Sequence, residues 1–444
     1  MLPLKKQSIT DNGILLCLFI IFFFASFWRY NCGRDVQNIL CCSDPKGYYM
    51  YLPAVFVYKD IHKLPDEFFM GEVKNAKGER YTKYSCGTAY FFLPFFLGAH
   101  LYVHLTHSVT TPFDDPYCYA IMLCGVFWAV VGLFLLKTLL LKYFSRGVTW
   151  LTLFCIVAGT NFFNYATLDV GMSHVYNFTL FAAALLMTDL YYKDPGKGKA
   201  IILGLLTGWI VLSRPTNIVM LLFLFLYRVV SMDDLRARLR FFRLHWSHVV
   251  IAAVFFLAIW IPQLLYWKAM TGHWIKYSYE GEGFIYWAKP KILSVLFDTQ
   301  NGWLLYSPVL LFLFWSLVKR RKDPRTNFWG TSIVLIIITY LFASWWAWWF
   351  GGAFGHRCYV DYYPLLALPV AVAMEGVLRL RNSYARVSLL AMIFIFCYYI
   401  IGFSEIYMQL GRGFDGPEWQ WNWDSWLTVV REIFFIPNPT HLPS

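Results

Sequence analysis

The sequence is poor in charge for its length. Of its 444 residues, only 14% are Asp, Glu, Lys or Arg, whereas 59% are hydrophobic. A soluble globular protein carries about 25% charged residues, so this composition excludes an ordinary water-soluble domain and indicates a chain dissolved in lipid. The net charge of +12 does not indicate a nucleic-acid partner, because the cations stand in short clusters between apolar runs, as they do in multi-span membrane proteins.

Other familiar patterns are also missing. The ten cysteines include no CxxC pair and no Cys/His spacing typical of structural zinc. No small-x-small cleavage site closes the first apolar run, at residues 14–28, so this run is predicted to be retained as a span rather than removed as a signal peptide. No internal repeat and no separate soluble domain is visible.

What is present is a series of eleven apolar runs that are long enough, or nearly so, to cross a bilayer. The predicted spans are 14–30, 117–141, 148–166, 172–191, 199–212, 215–230, 247–268, 303–318, 328–347, 362–378 and 385–403. With the N-terminus inside, every inner loop is basic, as in 319–325, and the outer segments collect the acids. The pattern predicts an all-α polytopic membrane protein with a cytoplasmic N-terminus and an outer C-terminus.

One apolar run has to be treated differently to keep this alternation. Residues 89–105 would invert every later loop if they crossed, so we predict an interfacial helix bent at Pro94. The predicted layout is then a transmembrane domain over 1–403, with a long first outer loop at 31–116 that contains interfacial helices. A short outer tail follows at 404–444.

Four outer segments bring polar groups to one face of the membrane, which favours a functional site there. They carry Asp44, Tyr48 and Tyr49; Lys83; Arg214; and His356, Arg357 and Asp361. A carboxylate among several cations suits a lipid-linked phosphate or pyrophosphate. The carboxylate can deprotonate an acceptor hydroxyl while the cations hold a phosphate leaving group.

Each of these residues also has a purely structural interpretation. Asp44 stands before a proline and a glycine and is a good turn initiator. Lys83 can extend its amine to the membrane surface. Arg214 lies between two apolar half-spans and needs either an internal partner or a ligand.

His100, His104 and His107 share one helical face, which fits a metal site or the polar side of an interfacial helix.

Three motifs resemble a known family, the polytopic glycosyltransferases of the GT-C fold. The resemblance is to the branch of protein O-mannosyltransferases and the bacterial aminoarabinose transferase that modifies lipid A (glycosyltransferase 39/83-like). "DPKGY" at 44–48 is similar to the acidic motif of the first outer loop, and "KYSCGTAYFFLPF" at 83–95 to a lysine motif that opens an interfacial helix. "GGAFGHRCYVDYYPLLALP" at 351–369 is similar to a basic segment before the last spans.

The resemblance implies a polyprenyl-phosphate sugar donor and inverting transfer at the periplasmic face. It makes Asp44 the base, Lys83 and Arg357 contacts of the phosphate, and Tyr48 part of the pocket wall. Two positions depart from the family motifs. Pro45 stands where the relatives carry a second acid, and no Pro-Pro pair follows Lys83.

The leading hypothesis is therefore a glycosyltransferase of the cell envelope, in a bacterial inner membrane, that transfers a hexosyl or pentosyl group to a lipid, glycan or protein acceptor. No metal ligand is assigned and no cofactor is required, although the hypothesis leaves room for a divalent cation. A transporter or flippase of a lipid-linked saccharide and a non-catalytic envelope-assembly protein are the alternatives.

Overall fold

The computed structural model describes residues 9–33, 35–40, 43–62, 73–75, 78–107, 111–409 and 421–435. Cys41 and Cys42, just before the acidic motif, lie outside the described residues. So do most of the residues between 410 and 444 that the sequence assigns to the outer tail.

The described chain is built almost entirely of helices. The first ten are α1 (Ile9–Trp28), α2 (Ser43–Tyr49), α3 (Tyr51–Phe56), α4 (Ala89–Thr106), α5 (Asp115–Leu140), α6 (Arg146–Ala158), α7 (Phe162–Thr167), α8 (His174–Lys193), α9 (Lys197–Ser213) and α10 (Val219–Phe225). The others are α11 (Met232–Leu244), α12 (Trp246–Ala258), α13 (Ile261–Thr271), α14 (Ile292–Phe297), α15 (Leu311–Lys319), α16 (Phe328–Ser344), α17 (Tyr363–Leu378), α18 (Ser383–Gln409) and α19 (Trp423–Phe434).

Shorter elements connect these helices. A π-helical turn, Arg29–Gly33, extends α1, and 3-10 helices cover Val36–Ile39, Pro215–Ile218, Pro308–Leu310, Pro324–Thr326 and Arg357–Tyr362. The strands β1 (Val73–Lys74) and β2 (Arg80–Tyr81) form a two-residue antiparallel pair in which Val73 lies opposite Tyr81. The prediction of an all-α membrane protein is confirmed.

The helices follow the predicted spans closely, but fewer of them qualify as spans by length and composition. Among the described residues six helices are long and apolar enough, or seven if α11 and α12, bent by 76°, count as one. Polar breaks explain the difference, since the predicted span 148–166 is divided between α6 and α7, and Arg214 and Pro215 separate α9 from the next helical turn. The figure of about eleven spans remains a prediction.

The apolar run that we assign to the membrane interface forms one helix, α4, with Pro94 inside it. Its buried side chains include Phe91, Phe92 and Phe96, and it packs on α5. By length and composition α4 is also a candidate span. Its position at the interface therefore stays a prediction.

Two helices form the interior of the bundle. Nearly every residue of α17 is buried, and α17 packs against α6, α8 and α15. Helix α8 is also largely buried and packs against α5 and α9. Because α17 follows directly on the 3-10 helix Arg357–Tyr362, that 3-10 helix leads straight into an almost completely buried helix.

The two ends of α8 mark the two faces of the protein. Its 20 residues extend about 30 Å, which is close to the thickness of a bilayer's hydrocarbon core. At the far end Asp189 is 2% exposed and forms ion pairs with Lys142 at 2.5 Å and Lys193 at 3.0 Å. This basic end corresponds to loops that the sequence predicts to be cytoplasmic.

Helices α9 and α12 approach each other at two glycines spaced four residues apart. A Cβ atom on Gly204 would lie 2.3 Å from the carbonyl oxygen of Ala252, and one on Gly208 would lie 2.6 Å from the carbonyl oxygen of Phe256. Small residues at this spacing let membrane helices pack backbone against backbone.

We expect Gly204→Ala and Gly208→Ala each to destabilise the protein by about 1–3 kcal/mol, because the added methyl group forces α9 and α12 apart. Gly198→Ala is the matched control, since a Cβ at Gly198 meets nothing within 4 Å. The thermal midpoint of tryptophan fluorescence in detergent micelles measures the effect. An unchanged thermal midpoint for both Gly204→Ala and Gly208→Ala would contradict this packing.

Candidate active site

Asp44 stands in the first turn of the seven-residue helix α2. The following Pro45 packs against Gly171 in the α7–α8 loop, where an added Cβ would lie 2.8 Å from the Cβ of Pro45. Gly47 leaves space for the ring of Tyr84, since a Cβ there would lie 2.1 Å from that ring. The motif "DPKGY" therefore has a packing role for its proline and its glycine, and both fix the direction of the carboxylate.

The carboxylate of Asp44 is held from two sides. Arg357 donates from Nη2 to Oδ2 at 3.0 Å, and the hydroxyl of Tyr84 donates to Oδ1 at 2.5 Å. The side chains of Asp44 and Arg357 keep 19% and 16% of their surface exposed. An ion pair between residues 313 positions apart thus lies in a partly open cleft rather than in the core.

The electrostatic surroundings favour the ionised form of Asp44. Burial acts to raise its pKa, but the charge of Arg357, the hydrogen bond from Tyr84 and the charges of Arg214 and Lys83 together lower it below its ordinary value. Burial, with the nearby Asp44 carboxylate, raises the pKa of Tyr48. At neutral pH the cleft therefore presents a carboxylate and a neutral phenol.

Arg214 enters the cleft from the break between α9 and the 3-10 helix Pro215–Ile218. Its Nη2 donates to the sulfur of Cys358 at 3.0 Å, and its Nε lies 3.9 Å from a carboxylate oxygen of Asp361. Its side chain remains 19% exposed. Its Nη1 lies 3.3 Å from Nδ1 of His174, so Arg214 has the internal partners that its structural interpretation requires, and its ligand-binding role stays a prediction.

Asp361 lies beneath the cleft and is completely buried. One of its oxygens lies 2.8 Å from Nδ1 of His174, and the other accepts from the amides of Asn177 at 3.0 Å and Asn217 at 2.8 Å. Because these groups occupy both of its oxygens, Asp361 supports Arg214 from below instead of facing the cleft.

Lys83 forms the third cationic group of the cleft. Its amine pairs with the carboxylate of Glu282 and lies 5.5 Å from the ring centre of Tyr84 and 5.3 Å from that of Tyr279. Lys83 and Glu282 are 15% and 24% exposed. Glu282 also accepts from the indole of Trp346 at 3.3 Å, so Lys83 is tied to the loop before α14 and to the segment after α16.

Aromatic rings form one wall of the cleft. The ring of Tyr84 lies 5.1 Å from that of Tyr48 and 6.0 Å from that of Tyr279, and Tyr279 lies 6.3 Å from Trp345. Flat rings at the edge of a charged cleft can contact the apolar faces of a sugar or an isoprenoid chain. The proposed wall residue Tyr48 therefore has three further aromatic companions.

Besides Asp361, two of the residues predicted to bind substrate lie in packed surroundings. The hydroxyl of Tyr49 donates to the carbonyl oxygen of Pro112 at 2.5 Å, and its ring lies 5.3 Å from that of Phe113. His356 is 1% exposed and stacks on Phe342 at 5.1 Å. The structure brings Asp44, Tyr48, Lys83, Arg214 and Arg357 together but turns these two side chains into the protein.

The residues that were not predicted from the sequence are Tyr84, Tyr279 and Glu282. The chain contains 30 tyrosines, so no single one is conspicuous without the fold. Glu282 does carry a signal, since it is an acid between Gly281 and Gly283 in an outer loop. Its pairing with Lys83, however, bridges 199 positions.

The described residues do not assemble the ligands of a metal ion. Within these ranges no three His, Cys, Asp or Glu side chains are grouped closely enough to hold one. Of the three histidines on and just after α4, His100 lies 2.9 Å from the hydroxyl of Tyr117 and stacks on Phe96. This donor set does not fit a divalent cation, and we derive no step through one.

Solved structures share this arrangement of helices. Archaeal oligosaccharyltransferase AglB from Archaeoglobus fulgidus, in complex with an inhibitory peptide and a dolichol-phosphate, has a TM-score of 0.52 and 15% identity, over 93% of this chain and 57% of that chain. The apo form of the Archaeoglobus fulgidus oligosaccharyltransferase has a TM-score of 0.51 and 14% identity, over 97% of this chain and 59% of that chain. The chain has the GT-C fold.

This chain spans less than two thirds of the length of either oligosaccharyltransferase. No protein-family model and no curated protein sequence matches it. At 14–15% identity these structures are evidence for the fold alone. They confirm the GT-C fold that the sequence motifs predict. The roles of the cleft residues rest on their own geometry.

Asp361 and Asp44 should respond differently to the loss of charge. In Asp361→Asn the new amide would face the amides of Asn177 and Asn217, so we expect a loss of about 3–5 kcal/mol in unfolding free energy. Asp44→Asn, in the partly open cleft, should lose clearly less. Unfolding in detergent micelles measures both, and equal stability of the two variants would contradict the supporting role of Asp361.

Proposed function

We propose that this protein is an integral-membrane glycosyltransferase that transfers a sugar from a polyprenyl phosphate to an acceptor at the outer face, with inversion. The observation that carries the proposal is the ionised Asp44 in a partly open cleft with Arg357, Arg214 and Lys83 around it. A carboxylate can accept a proton there, and the three cations suit an anionic phosphate.

In the proposed reaction an acceptor hydroxyl attacks the anomeric carbon of the sugar. The new carbon–oxygen bond forms as the bond to the phosphate oxygen breaks, and the hydroxyl proton passes to the carboxylate of Asp44. The polyprenyl phosphate leaves with the electron pair, and Lys83 and the two arginines balance its charge. A single displacement inverts the anomeric configuration, and a phosphate so stabilised needs no general acid.

The lowered pKa of Asp44 fits this role. A carboxylate of low pKa is a weak base toward an unreacted alcohol. The proton of the acceptor hydroxyl becomes acidic, however, as the hydroxyl oxygen bonds to the anomeric carbon. The Tyr84 hydroxyl and Arg357 orient the carboxylate so that an oxygen can meet that proton. Arg357 thus serves two purposes, orienting the base and binding phosphate.

The donor class and the location belong to the same proposal. The AglB complex contains a dolichol-phosphate, a lipid phosphate of the proposed chemical class, which supports a lipid-linked donor. The basic loops at the end of α8 away from Asp44 support an outer, periplasmic active site in a bacterial inner membrane. The acceptor is a lipid, glycan or protein, and the transferred group is a hexose or pentose.

We expect Asp44→Asn to lower the rate of glycan transfer roughly 10²- to 10⁴-fold, the usual contribution of a general base. Asp424→Asn, an exposed aspartate on α19, is the matched control and should retain full activity. Transfer from a defined polyprenyl-phosphate sugar is followed at equal protein levels. Undiminished transfer by Asp44→Asn would exclude the aspartate as the base and favour a transporter or an assembly protein.

We expect Lys83→Ala to raise the donor KM roughly 10- to 100-fold, because a charged hydrogen bond to the phosphate is lost. Arg357→Ala should likewise raise the donor KM more than the acceptor KM. Glu282→Gln should lower the donor KM, since it removes the carboxylate that competes with phosphate for Lys83. Lys289→Ala, exposed in the same outer loop, is the control.

These KM values separate two roles of the lysine. If Lys83→Ala and Glu282→Gln both raise the donor KM equally, then the ion pair holds the loop in place and Lys83 is not a phosphate ligand. A larger effect on the acceptor KM would also overturn the assignment of Lys83 and Arg357 to the donor.

A further inference from the structure

Helix α11 stands outside the core of the protein. None of its side chains is buried, and it bends by 76° into α12. Its first turn is closed by a capping box in which Ser231 and Asp234 exchange hydrogen bonds, so the start of the helix is well defined. Together α11 and α12 are apolar enough to enter a membrane. The exposed helix α11 therefore continues directly into α12, the apolar member of the pair.

Helix α11 lies at the opposite end of α8 from the cleft. Phe241 packs on Tyr191 and Tyr192 near the end of α8, and the guanidinium of Arg238 lies 3.3 Å from the ring centre of Tyr192. The start of α8, at His174, contacts the floor of the cleft. Since α8 is as long as the hydrocarbon core is thick, α11 lies at the other membrane face.

One flank of α11 is apolar. Met232, Leu235, Leu239 and Phe242 follow one another at spacings of three and four residues and so line one side of the helix. Met232 is 68% exposed and Leu239 is 56% exposed. Transfer of such side chains from water to an apolar medium is favourable. An apolar flank of this kind is typical of a helix that lies in the membrane interface.

The adjoining side of α11 is cationic. Arg236, Arg240 and Arg243 share it, at spacings of four and three residues, and all three are exposed. Arg236 pairs with Asp233 at 3.0 Å, but these side chains are 71% and 87% exposed, so the pair contributes little. In a helix that lies in the membrane interface, guanidinium groups beside the apolar flank can reach the lipid phosphates, which they bind well.

We propose that α11 binds anionic phospholipids of the cytoplasmic leaflet. Its apolar flank enters the acyl boundary, and Arg236, Arg240 and Arg243 contact the phosphates of the headgroups. The bent connection to α12 gives α11 the orientation of a helix lying along the membrane surface. This interaction is independent of sugar transfer, because it uses the opposite face and none of the cleft residues.

The test is lipid retention by the purified full-length protein. Phosphatidylglycerol or phosphatidylcholine with the same acyl chains is added to protein in mild detergent, and bound lipid is counted by native mass spectrometry. We expect phosphatidylglycerol to be retained in preference. The combined variant Arg236→Gln, Arg240→Gln and Arg243→Gln should weaken that preference roughly tenfold or more.

Two controls separate the helix from general charge. Replacing Lys319, Arg320 and Arg321 by Gln removes the same charge from the exposed end of α15 and the loop after it and should keep the preference. Lysine at the three α11 positions should also keep most of it. Equal loss in the loop variant, or full retention in the α11 glutamine variant, would overturn the proposal.

The unaltered protein gives a further test should the variants not fold. Its preference for phosphatidylglycerol should fall as salt rises from about 0.05 M to 0.5 M, because exposed charges are screened. Equal retention of the two lipids, or retention of phosphatidylglycerol that does not depend on salt, would overturn the proposal.

Discussion

The arrangement of the cleft depends on one carboxylate that is completely buried, that of Asp361. Asp361 joins the start of α8, through His174, to the polar turn at Asn217 and to the chain that leads into α17. A buried carboxylate is stable only when each oxygen has partners, and here the amides and the imidazole supply them. Once Asp361 is satisfied, Arg214 lies beside it with 19% of its side chain exposed.

The upper layer of the cleft follows from that support. Arg357 belongs to the same 3-10 helix as Asp361 and reaches across to Asp44 on α2. Tyr84 approaches the same carboxylate from the segment before α4. Residues from two distant parts of the chain therefore converge on Asp44, and the 3-10 helix that carries Arg357 leads directly into the almost completely buried α17.

Much of this could be predicted because charge is rare in a membrane protein. Asp44, Lys83, Arg214 and Arg357 are conspicuous in an apolar sequence, and four of the predicted polar segments do meet. Side-chain direction could not be predicted in the same way. Tyr49 follows Tyr48 immediately, yet the ring of Tyr48 packs on Tyr84, whereas the ring of Tyr49 packs on Phe113.

The lengths of the helices within the predicted spans could not be predicted from the sequence pattern either. Hydropathy treats an apolar run as continuous, whereas Gly159 and the residues after it let the chain end α6 and begin α7 inside one predicted span. Helix α8 shows the opposite case, since it is 20 residues long but carries Asn177 and Asp189. Those polar groups are tolerated because the helix is enclosed by other helices rather than by lipid.

The pairing of charges in the cleft has a consequence for selectivity. Lys83, Arg214 and Arg357 are matched one for one by Glu282, Asp361 and Asp44. Each cation already has an anionic partner, so a phosphate that enters the cleft competes with a carboxylate of the protein. For the lipid-linked donor that we propose, the hydrocarbon chain would supply much of the affinity, and its phosphate would take the place of a carboxylate beside one of these cations.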